Sequence, residues 1–466
     1  MAPVQPRVVV LGLDCLSPRL VFERYRKDLP TFRRLMDAGL WGPLRSVDPP
    51  ITVPAWSCMM SGYDPAQLGL YGFRHRVIGT YTNRYTADGA RVTRPRVWDH
   101  LGAAGLCAGL VGVPDTYPPR RLAGYSVAGF LAPNTAAAYT FPDSLKDEIA
   151  ARFGAYRFDV DDFRSTDRDR IYRDICAMTA QHFALFRHLL ATRGGDFMML
   201  CEIGPDRVHH AFWRHADPAH RWHDPAHRDA GVVRDYYRRL DAEVAQVLAQ
   251  LDPACHVLVV SDHGARAMEG GFCLNDWLRR EGLLALREEP RGPTPFAEEN
   301  VDWGRTRAWA WGGYYGRVFV NLAGREPEGQ VPAAAAERFA LELAARLTAV
   351  AGPDGRPLGN RVLRPHDLGA GAPAGDYPDL LVYCGDLGWR ALGSVGNPGL
   401  FTAENDTGAD DANHDPEGVF VYSGPAGGRG ERSGLRLVDV GPTILELFGL
   451  PTPPDAAGRP IPLGPG

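Results

Sequence analysis

The sequence predicts an α/β fold, with a mostly parallel central sheet, helices on both faces and an inserted cap region. Three observations carry this. Short apolar runs recur at 7–13, 106–112, 196–201, 256–260, 379–384 and 418–423, and runs of this length bounded by turn or acidic residues read as buried strands. Amphipathic stretches alternate with them. In 230–251, Val232, Val233, Tyr236, Leu240, Val244, Val247 and Leu251 repeat at helical spacing, and such alternation goes with a parallel sheet covered on both sides. Finally, strands stop abruptly at acids: Asp14 ends 7–13, and Ser261-Asp262-His263-Gly264 ends Val257 to Val260. Open α/β sheets place ligands at that carboxyl edge.

Composition narrows the function classes. The chain has 466 residues, 45% hydrophobic and 23% charged, enough to bury a large core. Its net charge of −5 carries no basic surplus of the kind that nucleic-acid binding needs. The eight cysteines are scattered, with no CxxC pair, which in a chain this long points to a reducing compartment rather than a disulfide framework. The first apolar run, Val8 to Leu13, is too short for a signal peptide. No run approaches the roughly 20 apolar residues of a membrane span. A cytoplasmic protein without a membrane anchor is the expectation.

Taken in order, the strand at 7–13 is followed by a helical stretch from about Leu29 to Ala38, closed by Gly39. In PPITVPAWSCMMSG, residues 49–62, the two prolines forbid a helix before Thr52, and Pro54 suits a first turn. Thr52 thus sits at a strand-to-helix elbow. Its hydroxyl either caps the helix or faces an anion at the helix N-terminus. Residues 63–100 read as a long loop containing YGFRHR, where Arg74 and Arg76 either meet an anionic substrate or form a solvated cluster. Residues 134–195 show helical patterns and few strand signals, and read as a helical cap insertion in a single domain spanning 1–466. After the strand at 196–201, Asp206 and His210 are four apart and share a helix face, with His209 rotated away. Trp309, Trp311, Tyr314 and Tyr315 either line a pocket or pack as core. Residues 379–384 and 418–423 are late strands, and the polar loop 385–417 between them holds Asn405 and His414; loops of that length in compact domains are usually functional or disordered.

Asp14, Thr52, Asp206, His210, Asp262, His263 and His414 follow strands or lie in loops at the presumed carboxyl edge. Carboxylate and imidazole donors suit zinc, or manganese where carboxylates dominate. Seven donors exceed one tetrahedral ion and suit two.

The ordered set VVVLGLD, PPITVPAWSCMMSG, GPDRVHH, VVSDHG, NHDPEGVFVYSGP and VDVGPTILELFGLP resembles the alkaline phosphatase superfamily. Within it, the chain is most similar to the type I phosphodiesterase/nucleotide pyrophosphatase branch and related phosphohydrolase–phosphomutase proteins. The resemblance spans residues 7 to about 460. It implies an alkaline phosphatase-like fold, two divalent metal ions, and Thr52 as nucleophile. It places Asp14, Thr52, Asp262 and His263 on the metal nearest the nucleophile, and Asp206, His210 and His414 on the second. Thr52-Val53-Pro54-Ala55-Trp56 lacks the modifiable residue and the arginine of sulfatases, which argues against that activity. The implied function is hydrolysis of a small phosphate ester, monoester or diester and nucleotide-like in one version, through phosphothreonine. A phosphomutase, a phosphonate hydrolase and a non-catalytic metal-binding relative are the alternatives. Arg74, Arg76 and Asn405 are candidate donors to phosphoryl oxygens, and Trp311 and Tyr314 are candidate stacking surfaces.

Overall fold

The computed structural model describes residues 4–369 and 373–464. A ten-stranded sheet forms its centre. Across it lie Gly430–Glu431, Leu40–Arg45, Glu417–Ser423, His256–Val260, Val8–Leu13, Phe197–Glu202, Ala108–Val113, Gly124–Ala128 and Thr140–Phe141, with Leu435–Arg436 also paired to Leu40–Arg45. The run from His256–Val260 to Gly124–Ala128 is parallel throughout. Every residue of Val8–Leu13, Ala108–Val113 and Phe197–Glu202 is buried. Burial on both faces is why these strands read as continuous apolar runs rather than alternating ones.

Register aligns the strand ends. Gly12 sits opposite both Cys201 and Val260, so Asp14, the turn after Glu202, and Asp262 emerge at one edge. Glu417–Ser423 runs antiparallel, with Phe420 opposite Val260. Its beginning, just after His414, therefore reaches the same edge.

Helices Pro30–Ala38, Arg168–Thr192, Gly204–Ala216 and Val232–Leu248 cover one face. Thr52–Ser61, Val97–Ala103 and Val440–Leu447 cover the other. Residues 134–195 are not a cap. Arg168–Thr192 buries Ile171, Ile175, Met178, Phe183, Phe186 and Leu189 against the sheet face and its neighbouring helices. Burying each such side chain contributes roughly 1.5–3 kcal/mol, which fixes this helix as core.

The insertion lies later in the chain. Ala308–Trp311, Gly316–Val320, Leu380–Tyr383 and Arg361–Leu363 form a separate antiparallel sheet. With helices Leu274–Arg280 and Ala336–Thr348 it encloses its own core, including Phe272, Trp309, Val318, Phe339, Leu343 and Val382. The run at 379–384 thus belongs to this smaller sheet. The span expected as one polar loop holds the short strands Trp389–Ala391, Ser394–Val395, Phe401–Thr402 and Ala412–Asp415. This second lobe enters and leaves through one ladder. Gly264–Ala267 pairs antiparallel with Ala412–Asp415, and Ala265 is opposite His414. Among the described residues, no helix is long and apolar enough to cross a membrane.

Candidate functional site

The strand ends bring two groups of donors together. In the first, His263 Nε2 lies 3.2 Å from Asp262 Oδ2 and 3.7 Å from Asp14 Oδ1, and Thr52 Oγ1 is 3.4 Å from the same nitrogen. In the second, Asp206 Oδ1 lies 3.3 Å from His210 Nε2 and 3.8 Å from His414 Nε2. Asp14, Asp262 and His263 on one side, and Asp206, His210 and His414 on the other, each offer ligand atoms within 4.8 Å of one another. All six are buried. The His263 and His414 rings stack 3.8 Å apart at 18°. A ligated metal lies near its imidazole plane, so two rings stacked this way serve different ions. The two rings belong to the two different donor groups.

Thr52 is the first residue of the helix Thr52–Ser61 and makes no side-chain cap, since Ile51 occupies the N-cap position. Capping therefore does not account for the hydroxyl. It stands buried beside His263, where helix amides and dipole favour negative charge.

The three carboxylates share one design. Asp14 Oδ2 accepts from Trp56 Nε1 at 2.9 Å. Asp262 Oδ1 accepts the amide N–H of Cys15 at 3.1 Å. Asp206 Oδ2 accepts from Arg207. In each the other oxygen, Asp14 Oδ1, Asp262 Oδ2 or Asp206 Oδ1, is buried without a hydrogen-bond partner among the described residues. Such orphans are costly, and these three are the oxygens that approach the histidines. Cys15 adopts a left-handed φ of 63°, uncommon for a residue with a side chain, and this turn aims its amide at Asp262.

The histidines follow a matching rule. Nδ1 of His263 meets Gly264 O at 3.1 Å, that of His414 meets Pro50 O at 2.8 Å, and that of His210 meets Asp410 Oδ1 at 2.7 Å. An Nδ1–H donates to each oxygen, which turns Nε2 toward the cluster, the usual arrangement for a metal-binding imidazole.

Electrostatics ask for positive charge. Burial, then the charges of Asp262 and Asp206, push the Asp14 carboxyl well above its ordinary range. Burial likewise raises Asp262. Burial lowers His263 and His414, keeping both neutral. Burial opposes ionisation of Asp206 too, but His210, Arg207 and His414 outweigh it and hold this carboxyl well below the usual range. Burial opposes the charge on His210 too, but Asp410, Tyr314 and Asp206 outweigh it and raise this imidazole well above its ordinary range. Two neutral imidazoles, crowded carboxylates at Asp14 and Asp262, and an inward orphan oxygen on each carboxylate fit divalent cations, the second of which would take the place of the proton on His210.

The substrate candidates separate. Tyr314 belongs to this cluster: its hydroxyl is 3.2 Å from His210 Nε2 and accepts from Arg164 at 2.7 Å, and its ring stacks 4.1 Å from that of His414. Arg74, Trp311 and Asn405 instead line a cavity of about 700 Å³ in the second lobe. Two guanidinium groups, Arg84 and Arg317, already lie over the Trp311 ring at 5.3 and 5.2 Å, which occupies it as a stacking surface. Arg76 is not a substrate residue. It is buried beneath the second lobe, paired with Glu326 through an Nη1–Oε2 bond of 2.9 Å and lying over Trp309 and Phe319. Trp309 and Tyr315 are core.

Sequence reasoning missed the supporting shell. Asp410 orients His210 and is itself held by Arg164 at 3.1 Å and Arg390 at 3.2 Å. Trp56, four residues after Thr52 on the same helix, reads as an ordinary core aromatic. Its spacing on the Thr52 face was the available signal.

The sequence profile of the type I phosphodiesterase/nucleotide pyrophosphatase family matches residues 8–416. No curated protein matches the chain. Among solved structures it is similar to human ectonucleotide pyrophosphatase/phosphodiesterase 5, with a TM-score of 0.57, 14% identity and 96% of each chain covered. It is also similar to the murine protein of that name, an inactive threonine-to-alanine variant in complex with AMP, with a TM-score of 0.55, 12% identity and coverage of 97% of this chain and 96% of that one.

Proposed function

The chain belongs to the type I phosphodiesterase/nucleotide pyrophosphatase family, hydrolases of phosphoric esters in the alkaline phosphatase superfamily, and we propose that it works as a two-metal enzyme with Thr52 as nucleophile. The observation that carries this is the orphan oxygen on each of Asp14, Asp262 and Asp206, aimed at histidine Nε2 atoms beside the Thr52 hydroxyl. Asp14, Thr52, Asp262 and His263 would hold one divalent ion, and Asp206, His210 and His414 the other. Zinc suits this donor mix, with manganese the alternative. When bound, such ions supply positive charge that lowers a hydroxyl's pKa and neutralises phosphoryl oxygens.

The chain's own groups do the rest. Thr52 gives up its hydroxyl proton to solvent and its Oγ attacks phosphorus, while the bond to the leaving oxygen breaks in line and that oxygen departs, taking a proton from solvent to become the alcohol. The helix N-terminus beneath Thr52 favours the negative phosphoryl group. Water then attacks phosphothreonine, the Thr52 Oγ–P bond breaks, and the hydroxyl is restored. A monoester yields inorganic phosphate and a diester yields a monoester. Tyr314 and Arg164, joined to each other and to His210 at the cluster, would be the nearest donors for a nonbridging oxygen. A nucleotide-like ester is the substrate class we favour, supported by the AMP complex of the murine structural neighbour.

The test combines metal analysis of purified protein with rates on aryl monophosphate and bis-aryl phosphate before and after chelation. Two equivalents of metal, and turnover lost on chelation and restored by zinc or manganese, are expected. One equivalent or none, or turnover that survives complete metal removal, would overturn the reading.

A further inference from the structure

The large cavity of the second lobe holds a cation without a counter-ion. Arg317 donates Nη1 to the carbonyl of Arg74, and its Nε is buried with no partner. Among the described residues no carboxylate pairs with it or with Arg74. The acids nearby do not fill that role. Glu298 is bound to Arg84 at 2.9 Å and to Trp311 Nε1 at 2.8 Å. Asp406 accepts the Gly393 amide at 2.7 Å. Glu404 is exposed on the wall. Arg317 is half-buried in the cavity wall, and a guanidinium without a counter-ion there is stabilised by an anion that enters the cavity.

The cavity is also close to the metal-binding cluster. Trp311, in its wall, is three residues before Tyr314, whose ring stacks on His414. Three residues span at most about 11 Å. On the other wall, Thr407 is three residues before Asp410, the partner of His210. Two chain segments therefore tie the cavity wall to the cluster within about 11 Å of backbone each.

We infer that this cavity is a subsite for an anionic group, a carboxylate or a second phosphoryl group, carried by the part of the substrate remote from the reacting phosphorus. Arg317 is its anchor, Arg74 its second donor, and the Trp311 ring supports the Arg317 guanidinium. The inference rests on the phosphoester hydrolase reading and adds a substrate requirement to it: the favoured ester carries a second negative charge.

The experiment uses the metal-loaded enzyme and 4-nitrophenyl phosphodiesters whose second ester group is phenyl, carboxyphenyl or phosphonophenyl. The readout is the ratio of kcat/KM for each anionic diester to that for the phenyl diester. In the wild type the ratio should exceed one for at least one anion, and the two anionic arms identify which charge the subsite takes. Arg317→Gln should lower that ratio about tenfold or more, as losing a charge-assisted hydrogen bond does, and Arg317→Lys should retain part of it. Arg74→Gln should lower it less. An unchanged ratio in Arg317→Gln, or a wild-type ratio at or below one for both anions, overturns the inference while leaving the hydrolase reading intact. Absence of turnover on all three diesters leaves the subsite to a binding measurement, and absence of turnover on aryl monophosphate as well defeats the hydrolase reading. In that event calorimetric binding of the carboxyphenyl and phosphonophenyl diesters still decides the subsite, since equal affinity of wild type and Arg317→Gln overturns it.

Discussion

Two sets of buried carboxylates in this molecule are built on opposite plans. In the second lobe, Glu326 has both oxygens occupied: Oε2 by Arg76 at 2.9 Å, and Oε1 by Arg76 and by Arg325 at 2.8 Å. At the sheet edge, Asp14, Asp206 and Asp262 are as deeply buried, yet each keeps one oxygen without a partner. A buried charge whose hydrogen bonds close within the protein is a fastening. One whose open oxygen faces further ligand atoms, as these three face histidines, is a candidate binding site; Asp115 and Asp411 keep an open oxygen without joining such a group among the described residues. Burial, charge and residue type alone do not tell them apart, which is why Arg76 reads from the sequence as a substrate residue.

The sharpest way to break this contrast is at Thr52. Thr52→Ala should lower kcat/KM on bis-aryl phosphate by on the order of 10³-fold or more, as losing a nucleophile does. The side chain makes no cap, so stability should change by less than the ~1 kcal/mol of a typical N-cap. Near-normal turnover would remove Thr52 from the covalent route. Next comes the closed pair. Arg76→Met strips Glu326 of its main partner and should cost about 3 kcal/mol by urea denaturation, the low end for a broken buried pair because Arg325 remains. The monoester-to-diester rate ratio should stay constant, and a selective fall in monoesterase activity would return Arg76 to the substrate. The smallest effect is expected one shell out from the open site. Asp410→Asn removes the charge that orients His210 and should weaken retention of one metal equivalent by roughly 10–100-fold, read by competition with a chromogenic chelator. Unchanged affinity for both equivalents would reduce Asp410 to packing.

What was legible in the sequence was local. A β-branched run ending at an acid marks a strand end, and the i, i+4 spacing of Asp206 and His210 marks a shared helix face. Two flanking prolines localise the elbow at Thr52. What was not legible depended on partners far along the chain. Glu326 lies 250 residues from Arg76, and Asp410 lies 200 from His210; no spacing announces either. The cap was misplaced for a similar reason. Arg168–Thr192 is long and lacks strand signals, so it resembles an insertion until the sheet face that it covers is known. The actual second lobe is assembled from short strands spread over residues 308–383; the run at 379–384 reads as a strand, but nothing in it tells which sheet it joins.

The ladder between Gly264–Ala267 and Ala412–Asp415 makes the second lobe a guest between two neighbouring strands. Because Ala265 faces His414, the spacing of His263 and His414 is set by strand register and not by the chain that departs after one and returns before the other. Descendants of such a chain are free to lengthen or reshape residues 268–411 wherever Tyr314, Arg390 and Asp410 keep their contacts with His210, His414 and one another. The part that would choose the ester and the part that would cleave it are thus separately heritable.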